Sequence, residues 1–167
     1  KPVLALMLNG AQGDDDEAHG GHFAIATGVM GARGEWGDWL TNNFYNLDAR
    51  SEKGIIASTL TMDAYLTDLN GGQSWYRPSY MLVAVLREPR AAQLYQQGIS
   101  RVFNHFYRHD FSYRHANANC AGISLDTLRA LGWDVPTLGP TSKVKAWLGL
   151  PWMAIREMNI DSGLQAF

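Results

Sequence analysis

Apolar runs bounded by turn residues predict the strands of this chain. Val3–Leu8 is continuously apolar and stops at an Asn-Gly turn dipeptide, which predicts a short buried strand. Gly21–Gly28 predicts a second strand, entered through glycines. The aromatic residues and threonine of Asp38–Leu47 predict a third strand that returns as a hairpin with a moderately long loop. The apolar run Tyr80–Leu86 predicts a strand in the centre of the sheet.

Helical spacing of apolar residues predicts the elements between and after these strands. The stretch Lys53–Leu69 is ambiguous, but its second half has helical spacing and ends at Asn-Gly-Gly. Pro89 suits the first position of a long helix with one apolar face. A further helix follows Cys120, and short outer helices are expected over Lys143–Leu150 and Trp152–Met158. The pattern predicts an α+β fold in which an antiparallel sheet packs against helices.

Length and composition narrow the class of protein. A chain of 167 residues predicts a single domain over 1–167. With 18% charged residues, a net charge of −2 and no long run of one sign, the chain is not expected to bind nucleic acid through phosphate contacts. Its apolar runs are far shorter than the roughly 20 residues that span a bilayer. The chain begins at Lys1 without a signal-like segment, which predicts a processed or excised piece.

The single cysteine, Cys120, stands between a polar loop and an amphipathic run. Asn117 and Asn119 before it are residue types that cap helices. A cysteine on the first turn of a helix is favoured as the thiolate, which is the reactive form. One cysteine excludes an internal disulfide and a thiolate-cluster zinc site. The alternative is that Cys120 is a small buried hydrophobic residue.

A histidine and two asparagines in the predicted hairpin are candidates for assisting a reactive Cys120 thiolate. His22 lies at the mouth of the second strand, where it is either a general base or a surface or capping residue. Asn43 and Asn46 are costly to bury without partners, so one of them is expected to orient an imidazole unless both face solvent.

The segment between the first two strands offers a metal site as an alternative. It carries the acidic run Asp14–Glu17 and a histidine, His19, near His22. Neither an EF-hand ladder nor the helical histidine pair of a zinc site is present, which favours a solvated acidic loop with no metal.

Two short motifs, read together, carry a family resemblance. Gly21-His22-Phe23-Ala24-Ile25 at a strand start and Asn119-Cys120-Ala121 at a helix start resemble the circularly permuted papain-like fold of the NlpC/P60 superfamily. The resemblance covers about 20–133. With Asn43-Phe44 in the next strand, the motifs are similar to the DUF4105 family, which includes the periplasmic domain of Lnb-type lipoprotein N-acyltransferases.

The resemblance implies a thiol enzyme of the bacterial cell envelope or periplasm that needs no cofactor. Cys120 would be the nucleophile, His22 its base and Asn43 the residue that holds the imidazole, with backbone N–H groups of Cys120 and Ala121 meeting the oxyanion. Hydrolysis and acyl transfer, on a peptide or a lipid-acyl substrate, both remain open.

Aromatic side chains are the candidates for contacting such a substrate, and core packing is the alternative for each. The candidates are Trp36, Trp39 and Tyr45, together with Phe44, Trp75 and Tyr76. The rival to an enzyme is a catalytically inert module on the same scaffold, or a metal-binding module that uses Asp14, Asp16, His19 and His22.

Overall fold

The computed structural model describes residues 1–10, 22–46, 55–67, 79–114 and 118–135. These residues form five strands and three helices: β1 Pro2–Asn9, β2 His22–Val29, β3 Leu40–Asn46, β4 Ile55–Thr61, α1 Met62–Thr67, β5 Ser79–Val85, α2 Pro89–Tyr107 and α3 Cys120–Ala130. The predicted acidic run Asp14–Glu17, residue Asn117 and the two expected C-terminal helices lie outside the described residues.

The five strands form one antiparallel sheet in the order β4-β3-β2-β1-β5. The expected α+β class, an antiparallel sheet packed against helices, is therefore confirmed. The expected hairpin of β2 and β3 is present, and Ile25 pairs with Asn42 in its register. At the other side of β2, Asn9 of β1 pairs with His22.

Two strand predictions need correction. The run Tyr80–Leu86 is not central: β5 lies at the edge of the described sheet, paired with β1, and the Tyr80 side chain is 71% exposed. An apolar run indicates burial on average, but it does not say how many neighbours the strand has. The second correction is β4, which forms the opposite edge of the described sheet although its Ser and Thr residues give the segment no clear strand pattern.

Strand alternation gives the sheet two differently covered faces. Val3, Ala5 and Met7 of β1 pack with Met62 and Tyr65 of α1 on what we name the α1 face. On the other side, the α2–α3 face, Leu4, Ile25 and Phe44 pack with helical residues. The helical residues of that core are Tyr95, Ile99 and Phe103 of α2 and Ile123 and Leu128 of α3. A side chain's position in its strand therefore decides which helices it can touch.

Gly28 allows Trp39 to pack directly on the backbone of β2. A Cβ atom at Gly28 would stand 2.3 Å from the Cδ1 atom of Trp39, far inside van der Waals contact. The indole itself is 3% exposed and donates its N–H to the Val29 carbonyl at 3.2 Å. The Trp39 ring thus packs in the space that a side chain at position 28 would otherwise fill, which joins the two strands of the hairpin.

A satisfied polar cluster fixes α2 on the sheet. Gln96 of α2 and Asn42 of β3 exchange two amide hydrogen bonds of 2.9 Å each. Thr27 donates to Gln96 at 3.0 Å and Thr59 donates to Asn42 at 2.9 Å. Because buried amides are costly without partners, this pairing disfavours any other register of α2 on β3.

Tyr95 predicts a loss of stability at high pH. Burial raises the pKa of the Tyr95 phenol above its usual range. As pH rises through about 10, the unfolded chain ionises this phenol while the folded chain keeps the proton, so folding becomes less favourable. Tyr95→Phe should therefore make the alkaline fall in the free energy of unfolding shallower, as measured by urea unfolding at about pH 7 and about pH 11.

The same substitution should change the free energy of unfolding at pH 7 by less than about 1 kcal/mol. The Tyr95 hydroxyl lies beside Ser124 but has no well-aligned hydrogen-bond partner among the described residues, so its removal strands no partner. Tyr80→Phe removes a hydroxyl from an exposed ring and is the control. An unchanged alkaline slope in Tyr95→Phe would contradict the assignment.

Candidate active site

His22 and Asn43 form a buried hydrogen-bonded pair at the start of β2. The imidazole is 7% exposed and Asn43 is 4% exposed. The Nε2 atom of His22 lies 2.7 Å from the Oδ1 atom of Asn43. Since a carbonyl oxygen only accepts, the Nε2–H group of His22 is the donor in this contact. The structure therefore brings the Asn43 side chain against the His22 imidazole, the contact expected of one hairpin asparagine.

Aromatic rings hold the His22 imidazole from two sides. Tyr45, two residues after Asn43, lies edge-on to the imidazole with ring centroids 5.5 Å apart. Tyr65 of α1 lies at a centroid distance of 6.3 Å. All three side chains belong to the α1 face, where strand alternation places His22, Asn43 and Tyr45 together.

A row of polar residues continues from this site across the sheet. Asn9, which pairs with His22 in the register of β1 and β2, donates to the Tyr65 hydroxyl at 2.6 Å. Ser79 of β5 donates to the Asn9 Oδ1 atom at 2.8 Å. The sequence does not identify these residues as part of the site, because Asn9 belongs to a turn dipeptide and the pattern around Tyr65 indicates only a helix. The available signal was a polar residue that closes an otherwise apolar strand.

Cys120 is the first residue of α3. Asn119 caps the helix: its Oδ1 atom accepts the Gly122 N–H at 2.8 Å, and its backbone is extended. Ser124 donates to the Cys120 carbonyl at 2.7 Å, within the first turn. The thiol is half-buried. The cysteine therefore occupies the helix position at which the macrodipole favours a negative charge.

A chain of contacts locates the start of α3 close to β3. Tyr113 packs on Phe44, the residue after Asn43, with ring centroids 5.0 Å apart. Arg114, next to Tyr113, pairs its N–H with the Ala118 carbonyl at 3.0 Å, two residues before Cys120. In addition, α3 packs against both β2 and β3. The three residues expected to react are thus carried by elements in mutual contact.

The two halves of the site belong to different faces of the sheet. The side chains of His22 and Asn43 lie on the α1 face, whereas α3 packs on the α2–α3 face. His22 is the first residue of β2 and Cys120 is the first residue of α3, so both stand at the ends of their elements.

The aromatic residues expected to contact substrate lie in three different environments. Trp36 is 37% exposed in the connection between β2 and β3. Trp39 and Phe44 are both buried, in the cores of the α1 face and the α2–α3 face respectively. Tyr45 is buried beside His22, with its ring edge-on to the imidazole. Trp75 and Tyr76 lie outside the described residues.

The described ranges contain no group of three or more His, Cys, Asp and Glu side chains arranged to hold a metal ion. Asp14, Asp16 and His19 of the metal-binding alternative lie outside those ranges. None of the helices that the structure describes is long and apolar enough to span a bilayer. Comparison with protein-family models, curated proteins and solved structures returned no match for this chain.

Proposed function

We propose that this protein is a cysteine hydrolase or acyltransferase that forms an acyl-enzyme on Cys120. The buried hydrogen bond between His22 and Asn43 is the observation that supports this most. In a neutral imidazole this contact directs the proton to Nε2, so that Nδ1 would be the basic nitrogen in the proposed reaction.

In the proposed reaction, the Cys120 thiol gives its proton to Nδ1 of His22 and the sulfur attacks a substrate carbonyl carbon. The tetrahedral intermediate collapses as the bond to the leaving amine or alcohol breaks, and His22 returns the proton to that group. A thioester remains on Cys120. Water or an acceptor amine then attacks it, and the thiol is restored.

The first turn of α3 supplies donors for the oxyanion in this proposal. The Asn119 side chain takes the Gly122 N–H, and the Asn119 carbonyl takes the Ile123 N–H at 3.2 Å. The N–H groups of Cys120 and Ala121 precede these in the turn, where the carbonyl oxygen of a bound substrate would meet them. One such donor contributes about 2.7–4 kcal/mol in comparable sites.

The order of these elements also supports a papain-like scaffold of the circularly permuted NlpC/P60 kind, which we propose for residues of about 20–133. A strand that begins with the histidine comes first, a strand that carries the asparagine follows, and a helix that begins with the cysteine comes last. The location that the resemblance implies, the bacterial envelope or periplasm, is part of the same proposal, as is a peptide or lipid-acyl substrate.

A catalytically inert module on this scaffold is the second candidate. The observation that favours it is the placement of the His22 side chain on the sheet face opposite to α3. A fold of this kind does not by itself establish activity.

Alkylation of Cys120 separates the two candidates. For the enzyme, we expect iodoacetamide to label Cys120 rapidly below about pH 7, because the imidazole and the helix start favour the thiolate. His22→Ala should slow this labelling at least about tenfold, whereas His105→Ala, which removes an exposed histidine paired with Asp110, should leave it unchanged. Labelling that is slow below pH 7 and indifferent to His22 would support the inert module.

A further inference from the structure

A groove between α2, α3 and the connection between them is separate from the His22 site. Its volume is about 650 Å³, and its walls are the α2 residues 98, 101 and 102, the connecting residues 111, 112, 114 and 118, and one side of α3. It lies on the α2–α3 face, whereas the His22 and Asn43 side chains lie on the α1 face. The lining contains neither His22 nor Cys120, although Ala118 and Ile123 stand on either side of Cys120 in the sequence.

The floor of the groove is apolar. Val102, Phe111, Ile123 and Leu131 line it, together with small residues that leave room between the helices. Gly98 is one of these: a Cβ atom there would stand 3.0 Å from the Thr127 methyl group, so glycine lets α2 and α3 approach closely. A surface of this kind favours an aliphatic or aromatic ligand body.

Among the charged residues that line the groove, positive charges outnumber negative ones. Arg101 and Arg114 line it, and Asp126 is the one acidic residue among the described lining positions. Asp126 is engaged by Arg129. In the described ranges no carboxylate lies within ion-pair distance of Arg101 or Arg114. Two guanidinium groups beside an apolar floor are complementary to a ligand with one anionic end.

We propose that this groove binds a single-chain anionic amphiphile, a long-chain fatty acid, with its aliphatic chain on the apolar floor and its carboxylate on Arg101 and Arg114. The volume fits small-molecule sites, which are about 300–1,000 Å³. A stable protein partner would instead bury about 800 Å² on each side, which calls for a broader surface.

Binding of parinaric acid, a fluorescent long-chain fatty acid, to the full chain tests the proposal. We expect saturable binding that weakens as salt is raised, because the head group is held by charge. The double substitution Arg101→Gln and Arg114→Gln should weaken binding about 10- to 100-fold, since hydrogen bonds to charged groups are lost. Arg87→Gln with Arg90→Gln removes the same charge from exposed positions outside the groove and should leave affinity within about twofold.

A second variant tests the apolar part without altering charge. Ala130→Trp, at an exposed lining position at the end of α3, should fill the groove and abolish binding while the unfolding midpoint is retained. Three outcomes would overturn the proposal: no saturable binding, equal competition by a neutral monoacylglycerol, or binding that survives both groove variants. Capture of an acidic amphipathic peptide without fatty-acid binding would also reject it in favour of a protein partner.

Discussion

Cys120→Ala should abolish the formation of an acyl adduct when the protein is incubated with activated esters, as measured by the intact mass of the chain. The sequence contains one cysteine, so no other thiol can take the place of Cys120 as the nucleophile. A mass increase that persists in Cys120→Ala would mean that another group is acylated and would remove the basis of the proposed mechanism.

His22→Ala should slow acylation by about 10²–10⁴-fold, the usual contribution of a general base. Asn43→Ala should have an intermediate effect, because the base remains and only its tautomer and orientation are lost. The matched controls are His105→Ala and Asn104→Ala, which remove exposed side chains of α2 and should leave the rate unchanged. Equal rates for Asn43→Ala and the unsubstituted protein would show that the hydrogen bond has no part in the chemistry.

The largest expected effect on stability belongs to Phe44→Ala. The ring is 1% exposed and lies within 5.0–6.2 Å, centroid to centroid, of four other rings: Phe103, Phe106, Phe111 and Tyr113. Removing a buried phenylalanine costs about 3–5 kcal/mol through lost transfer energy and a residual cavity. Urea unfolding should show this as a lower midpoint with little change in slope.

Phe44→Leu keeps much of the apolar volume and should cost less than Phe44→Ala. Leu94→Ala, at a position of α2 that is 47% exposed, is the control and should change the free energy of unfolding by less than about 1 kcal/mol. A loss below about 1 kcal/mol for Phe44→Ala would mean that the aromatic cluster does not join β3 to α2 in solution.

The sequence predicts much of the fold where periodicity is strong. The long α2 helix begins at Pro89, as its proline and single apolar face indicate, and α3 begins at Cys120 behind its capping asparagine. The sequence does not predict the strand β4, because Ser58, Thr59 and Thr61 interrupt any clear alternation of apolar and polar residues. The sequence does not predict the edge position of β5, because the neighbours of a strand in a sheet depend on the packing of the whole chain and not on one apolar run.

In the candidate site, too, local sequence patterns indicate some features, whereas other features depend on tertiary structure. The link between His22 and Asn43 follows from the cost of burying an amide without a partner, which a local pattern reveals. The part played by Asn9 and Tyr65 depends on the register of β1 with β2 and on the place of α1, which are properties of tertiary structure. The sheet face that carries the His22 side chain, and its relation to α3, depend on these same tertiary features. The spacing of residues in the sequence therefore does not indicate them.

The packing of Trp39 on Gly28 has a consequence for how this sequence can diverge. With 2.3 Å between the Trp39 ring and the place of a β-carbon at position 28, alanine is compatible with the fold only if residue 39 becomes smaller. In an alignment of relatives, the two columns should therefore covary, with bulk moving from one position to the other. A lineage that loses the tryptophan first can accept a side chain at position 28, whereas a lineage that changes Gly28 first must pass through a strained intermediate.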